Sequence, residues 1–418
     1  MQERQQPNYT FALTVVFIVC FLLGFVTTMN NSMIEFCKKT FDLNDTEGQL
    51  VNTAFYGAYV FSIPFALLMK KIGYKWTLVL GIAIIGIGFI INYAGISGAV
   101  GSGADNATIY SIFLGSMCCV ALGIVMLQLV ANPYVMVLGA PEKGAFRMTL
   151  SQGLNSVATT LAPMFITYFI IAGKTSLSAS DITGPFLGLG IFTLILCVIL
   201  YFLKLPNIQE EKQTETEGET HQYKSNVFKY PHVWFGALAI FMYMGVEIGI
   251  PSMLPAYIKH AQSEGLMDAS IAATTFLPFY WGGMMVGRFA GAAILSKFRP
   301  RILLTICIIG GAVCVGSSFL LPPHIGIYLM LASGLFHSVM WPLIFNLGLQ
   351  ELGPHTKSAS GLINMGVIGA AILTPIMGRV VDNPSLGVGL AICMMFIYYA
   401  YILWFELLGS RIGISKKD

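Results

Sequence analysis

PNIQEEKQTETEGETHQYKSN, residues 206–226, is the longest polar interruption in a chain of 418 residues. It is rich in Glu, Thr and Gln and poor in apolar side chains, so it cannot bury enough surface to fold and stays solvated. The rest of the chain is its opposite. Overall, 56% of residues are hydrophobic and 10% are charged, where a soluble domain carries about 25% charged residues. Such a chain cannot cover its own surface in water, but it can face lipid. A membrane-spanning helix needs roughly 20 mostly apolar residues. Six such stretches precede the polar segment, near 11–36, 50–69, 76–96, 108–138, 148–172 and 184–203. Six follow it, near 231–258, 269–296, 302–322, 325–350, 358–381 and 385–409. Backbone groups in lipid must be satisfied within their own segment, so these are helices; a barrel would show short alternating strands. The expected architecture is an all-α membrane protein of twelve transmembrane helices. Its two six-helix halves are residues 1–204 and 231–418, with a linker over 205–230.

The first stretch is too long for a signal-peptide core and no small-residue cleavage site follows it, so it reads as an uncleaved span. With both termini in the cytoplasm, 17 of the 23 Lys and Arg residues fall on the inside and five outside, with Arg288 inside a span. This asymmetry predicts a multi-pass protein of a plasma membrane, a bacterial inner membrane, with both termini cytoplasmic. The net charge of +3 is this bias, and no basic patch interleaved with aromatics points to nucleic acid. The eight cysteines show no metal-ligand spacing and read as small apolar packers.

The halves echo each other. Pro133 precedes Gly139 by six residues and Pro342 precedes Gly348 by six; LAPMF (161–165) is matched by LTPIM (373–377). The shared order on equivalent spans favours a parallel repeat with a pseudo-two-fold along the membrane normal. Transporters built so hold substrate near the midplane between halves that rock about it.

TTMNNSMIEF (27–36), AFYGAYVFSIPFALLMKKIGYKW (54–76), LQLVANPYVMVLGAP (127–141), FRMTLSQGLNS (146–156), YMGVEIG (243–249), VGRFAG (286–291) and HSVMWPLIFNLGLQELG (337–353) carry a resemblance over nearly the whole chain. It resembles the fucose–galactose–glucose:cation symporter family of the major facilitator superfamily. The resemblance implies the major facilitator fold and import of a fucose-, glucose- or galactose-type hexose by cation-coupled symport with alternating access. The partners it implies are a small-molecule sugar and membrane lipid, with a monomer as the working unit. It implies no cofactor beyond a coupling ion, H⁺ or Na⁺. Two family positions differ. Fucose-transporting members have an aspartate where Asn31 stands and a glutamate where Gln128 stands. Amides carry no proton at neutral pH, so a weakly coupled or uniport mechanism is the alternative.

Glu247 stands in FMYMGVEIGIP (241–251), the one acid near the middle of a span. A charged residue there costs about 2.5–3.5 kcal/mol on insertion scales. It is tolerated when fixed to a neighbouring span, or when it faces a cavity and binds a proton, Na⁺ or a sugar hydroxyl. The second reading makes Glu247 the cation-coupling residue. Sugar hydroxyls both donate and accept, which amides can match, and aromatic rings cover the apolar face of a pyranose. Candidate substrate-binding residues at helical spacing are Asn31 on span one, Tyr56 on span two, and Gln128 and Asn132 on span four. Gln152 and Asn155 on span five, Tyr243 on span seven, His337 and Trp341 on span ten, and Asn364 on span eleven complete the set. Residues so spaced share a helix face, and a polar face in lipid turns inward. The competing reading for each is a hydrogen bond between helices, about 0.6 kcal/mol in membranes.

Arg288 reads as structural, bonding backbone carbonyls or an acid toward the cytoplasmic half. GIAIIGIG (81–88) lies within a span, so its glycines serve close helix approach rather than phosphate binding. Trp76, Trp234 and Trp404 read as interface anchors. An acidic sugar, uronic or sialic, with His337 or Arg288 as counter-charge is a rival within transport. An enzyme needs a cluster of acids and histidines at one membrane face and a sensor needs a folded soluble domain; the sequence offers neither.

Overall fold

The computed structural model describes residues 10–137, 144–174, 176–203, 226–268, 273–295, 299–352, 355–383 and 385–413. Among these residues all regular structure is helical. Six spans make the first half: Ala12–Phe41, Asp45–Met69, Lys71–Gly101, Asn106–Ala131, Ser151–Ile171 and Ala179–Phe202. Span seven is Pro231–Ser263, and spans nine to twelve are Pro300–Leu320, Pro323–Gly348, Ser358–Asp382 and Gly387–Arg411. Helix Ala273–Leu295 is span eight, which completes the twelve expected. Most of the linker expected at 205–230 lies outside the described residues. What is described of it is the turn Val227–Lys229, capped by the Asn226 side chain.

Packing follows the two halves. Span three lies along spans four and six, and span one along span five; span nine lies along ten, and span seven along eleven and twelve. Between the halves, span two meets span eleven and span five meets span eight. The glycines of span three permit close approach: a Cβ on Gly123 of span four would lie 2.3 Å from the Gly81 carbonyl oxygen. Spans two and three are joined through Gly73, whose φ of 79° is a left-handed conformation that glycine adopts without a Cβ clash.

Prolines shape the centre. A helical carbonyl bonds the N–H four residues on, and proline has none. Pro251 therefore frees the carbonyl of Glu247, where span seven breaks into Pro231–Glu247 and Gly249–Ser263. Pro342 frees that of Ser338, where span ten breaks into Pro323–His337 and Met340–Gly348. Pro375 frees that of Ala371 in span eleven. At membrane depth such groups must be satisfied by neighbours, and they are. The Tyr280 hydroxyl donates to Glu247 O at 3.0 Å, Arg288 Nε to Ser338 O at 3.4 Å, and the Thr53 hydroxyl to Ala371 O at 2.9 Å.

The halves are tied at the face opposite the one where span one begins. Asn31 Nδ2 of span one and Asn52 Nδ2 of span two both donate to Ser252 Oγ of span seven, at 2.9 and 3.1 Å. Nearer that surface, the Asp382 carboxylate of span eleven accepts from the backbone N–H of Asp45 at 2.8 Å and of Thr46 at 2.7 Å, and from the Thr46 hydroxyl.

Candidate functional site

A cavity of about 260 Å³ lies between the halves. Its wall runs from Tyr56, Glu247 and Val367 at mid-span to Cys20, Gln152 and Leu295. It thus extends from the middle of the bundle toward the face at which span one begins, away from the tied end. Glu247 and Arg288 are the charged residues among those that line it. Glu247 is 9% exposed, and the Arg288 guanidinium and Tyr243 hydroxyl are the electrostatic neighbours of its carboxyl.

Six of the residues expected to form the site meet on this wall: Tyr56, Gln128, Gln152, Asn155, Glu247 and Trp341. The Tyr59 hydroxyl donates to Gln128 Oε1, leaving the Nε2 hydrogens as that amide's donors. Asn155 is engaged at both ends of its amide. Its Nδ2 donates to Cys20 O at 3.0 Å, and its Oδ1 accepts from Arg288 Nη1 at 3.2 Å. Arg288 Nη1 also donates to Ser156 Oγ at 2.8 Å, so the guanidinium spans both halves while its flank faces the cavity. This matches its reading as a tie to backbone carbonyls, with an amide and a hydroxyl in place of an acid.

Four expected residues sit elsewhere. Asn31 lies in the tie on Ser252. Asn364 Nδ2 reaches Ser62 Oγ of span two at 3.4 Å. Tyr243 is fully buried and donates to the His337 carbonyl at 2.8 Å. His337 is fully buried behind the wall, between the hydroxyls of Tyr280 and Tyr399. The side chain of Asn132 lies outside the described residues.

Three buried polar atoms on cavity-lining residues have no partner among the described residues: Thr27 Oγ1, Tyr56 OH and Trp281 Nε1. An unpaired buried donor or acceptor costs about 1–3 kcal/mol, and three such atoms belong to residues of this one wall. Trp281 is new relative to the sequence reading. Its signal was the spacing of seven to Arg288, which puts both on one face of span eight. Tyr56 and Tyr59 stack at 6.2 Å between ring centroids, and with Trp281 and Trp341 they give the wall aromatic faces. The chemistry on offer is therefore hydrogen bonding to hydroxyls, stacking on a C–H face, and one carboxyl.

The sequence pattern of the Major Facilitator Superfamily matches residues 16–375. A glucose/galactose transporter of Brucella abortus is 34% identical over 415 residues, 98% of this chain and 97% of its own length. An L-fucose-proton symporter of Escherichia coli is 28% identical over 406 residues, 90% of this chain and 88% of its own. Among solved structures, the Major Facilitator Superfamily transporter FucP in its outward conformation matches with a TM-score of 0.73 at 24% identity, over 96% of this chain and 99% of that one.

Proposed function

This chain belongs to the Major Facilitator Superfamily, and within it to the fucose–galactose–glucose:cation symporter family; we propose that it imports a neutral hexose by symport with a cation. The observation that carries this is Glu247 on the same cavity wall as Thr27 and Tyr56, whose hydroxyls have no partner among the described residues. A carboxyl beside an unfilled set of sugar-type partners lets one ligand and one ion occupy the same space. The curated relatives named for glucose, galactose and fucose support a hexose, and the relative named a proton symporter favours H⁺ over Na⁺. Asn31 and Gln128 are amides, which leaves Glu247 as the ionisable group for coupling. The halves, residues 1–204 and 231–418, rock about the cavity, with 205–230 as the cytoplasmic linker. With both termini cytoplasmic in a bacterial inner membrane, the described state is open inward and tied shut outward. A monomer suffices, since both halves and the cavity come from one chain.

Coupling then follows from linkage: cation and sugar together must favour the switch more than either alone. Proteoliposomes carrying Glu247→Gln are expected to lose gradient-driven accumulation while retaining sugar exchange. Full uphill transport by that variant ends the reading. A thermal-shift panel of hexoses and uronic acids, with and without Na⁺ at two pH values, identifies sugar and ion. Stabilisation by uronic acids alone turns the reading to an acidic sugar held by Arg288.

A further inference from the structure

We propose that His337 is a positioning residue that steadies the break Pro251 makes in span seven and so places Glu247; this rests on the coupling role given to Glu247 above. The carbonyl that Pro251 frees, Glu247 O, accepts from the Tyr280 hydroxyl at 3.0 Å. A carbonyl cannot donate, and a phenol has one hydrogen. Tyr280 must therefore accept, not donate, in its 2.9 Å contact with His337 Nδ1. So Nδ1 carries the hydrogen. Both ring nitrogens of this fully buried imidazole face tyrosines, and a charged ring there is costly. The ring is neutral, Nε2 is bare, and it accepts from the Tyr399 hydroxyl at 2.6 Å.

The result is a chain of hydrogen bonds with one direction: Tyr399 to His337, His337 to Tyr280, Tyr280 to the Glu247 carbonyl. It joins spans twelve, ten, eight and seven, and its last acceptor exists because residue 251 is proline. A second tie reaches the same place. The His337 carbonyl, at the break of span ten, accepts from the Tyr243 hydroxyl at 2.8 Å. Tyr243 stands one turn before Glu247 on span seven. The His337 ring thus holds the residue after which span seven breaks, through Tyr280, while the backbone carbonyl at the same position, which the substitutions keep, holds the turn before it through Tyr243. It does not line the cavity, so its effect on transport runs through Glu247 rather than through ligand contact. An imidazole suits the role because it donates on one edge and accepts on the other.

The test compares gradient-driven uptake with equilibrium sugar exchange in proteoliposomes. His337→Leu removes both nitrogens; Tyr280→Phe cuts the link from the other side. Each is expected to lower driven uptake about tenfold or more, as for a reacting group displaced by about an ångström, while exchange stays near the parent level. His337→Asn keeps a donor at the Nδ1 position and is expected to restore driven uptake. Should His337→Leu fail to fold, Tyr280→Phe carries the comparison. Driven uptake unchanged in Tyr280→Phe, or driven uptake and exchange falling together without rescue by Asn, overturns the proposal. Glu247→Gln runs alongside. If it loses driven uptake while Tyr280→Phe and His337→Leu do not, the positioning role alone fails; if it keeps uphill transport, the coupling reading fails. A measurement independent of coupling is the ¹⁵N spectrum of labelled histidine, assigned by its loss in His337→Asn. A hydrogen on Nδ1 is expected, and one on Nε2 alone overturns the chain.

Discussion

The two ends of the space between the halves use the same residue types to opposite effect. At the end away from where span one begins, amides and hydroxyls are joined: Asn31 and Asn52 to Ser252, Thr53 to Ala371 O, Thr46 to Asp382. At the other end, Thr27 Oγ1, Tyr56 OH and Trp281 Nε1, on residues of the cavity wall, have no partner among the described residues. The joined end is not perfect, since Asn52 Oδ1 lacks a partner among the described residues. Asn30 is fully buried with neither amide atom paired, and nothing in the structure explains it. The difference is the ground on which binding is assigned to the cavity end. Paired polar groups at membrane depth hold a conformation, whereas unpaired ones are an expense that a ligand removes.

The largest effect should come from the unpaired set. Tyr56→Phe deletes one atom that has no partner among the described residues, so it should not destabilise the empty transporter. Trp281→Phe also removes buried ring volume and should lower stability, so its binding effect is read beside its own melting temperature. Each should weaken sugar binding by one hydrogen bond, about 0.5–1.5 kcal/mol, and the pair together by roughly tenfold to a hundredfold in KM. Thermal unfolding without sugar and uptake kinetics check the two halves of this expectation. An unchanged KM with a lowered melting temperature would place these groups with the structural ones.

A middle-sized effect is expected at Ser252. Ser252→Ala removes the oxygen that receives two amides from the first half. The tie weakens and the outward-open state gains, by about threefold to tenfold in population, the equivalent of about 1 kcal/mol. Cys20, on the cavity wall, reports this when the other seven cysteines are replaced. Its alkylation from the termini side should slow. KM should hold, because Ser252 is away from the cavity wall.

Sequence alone carried the fold and brought about half of the expected residues to the cavity wall, for a physical reason. Apolar runs report what faces lipid, and the twelve spans depend on nothing else. Helical spacing reports that Asn31, Gln128, His337 and Asn364 turn inward. It does not report depth along the span or what the neighbouring helix offers. Gln128 meets a cavity; Asn31 meets Ser252. Trp281 stayed hidden because an indole within FLPFYWGG reads as packing until Arg288 is seen seven residues on. One signal was present and unread. The residue four before each proline of a span, as at Glu247, Ser338 and Ala371, has a carbonyl that needs an outside donor. Tyr280, Arg288 and Thr53 are those donors.

The smallest effect is expected at Asn364. Its bond to Ser62 Oγ is long at 3.4 Å, and both side chains are buried where span eleven meets span two. Here the backbones already approach, since a Cβ on Gly361 would lie 3.4 Å from that of Ala66. Contact of that kind holds the helices whether or not the amide bonds. Interhelical hydrogen bonds in membranes average about 0.6 kcal/mol, and one this long should give less, under about threefold in any equilibrium between the two open states. Asn364→Ala should therefore leave KM and driven uptake within about twofold of the parent. A tenfold rise in KM would make Asn364 a ligand group in another state of the cycle. The boundary between joined and unjoined polar residues would then move with the rocking of the halves rather than stay fixed in the fold.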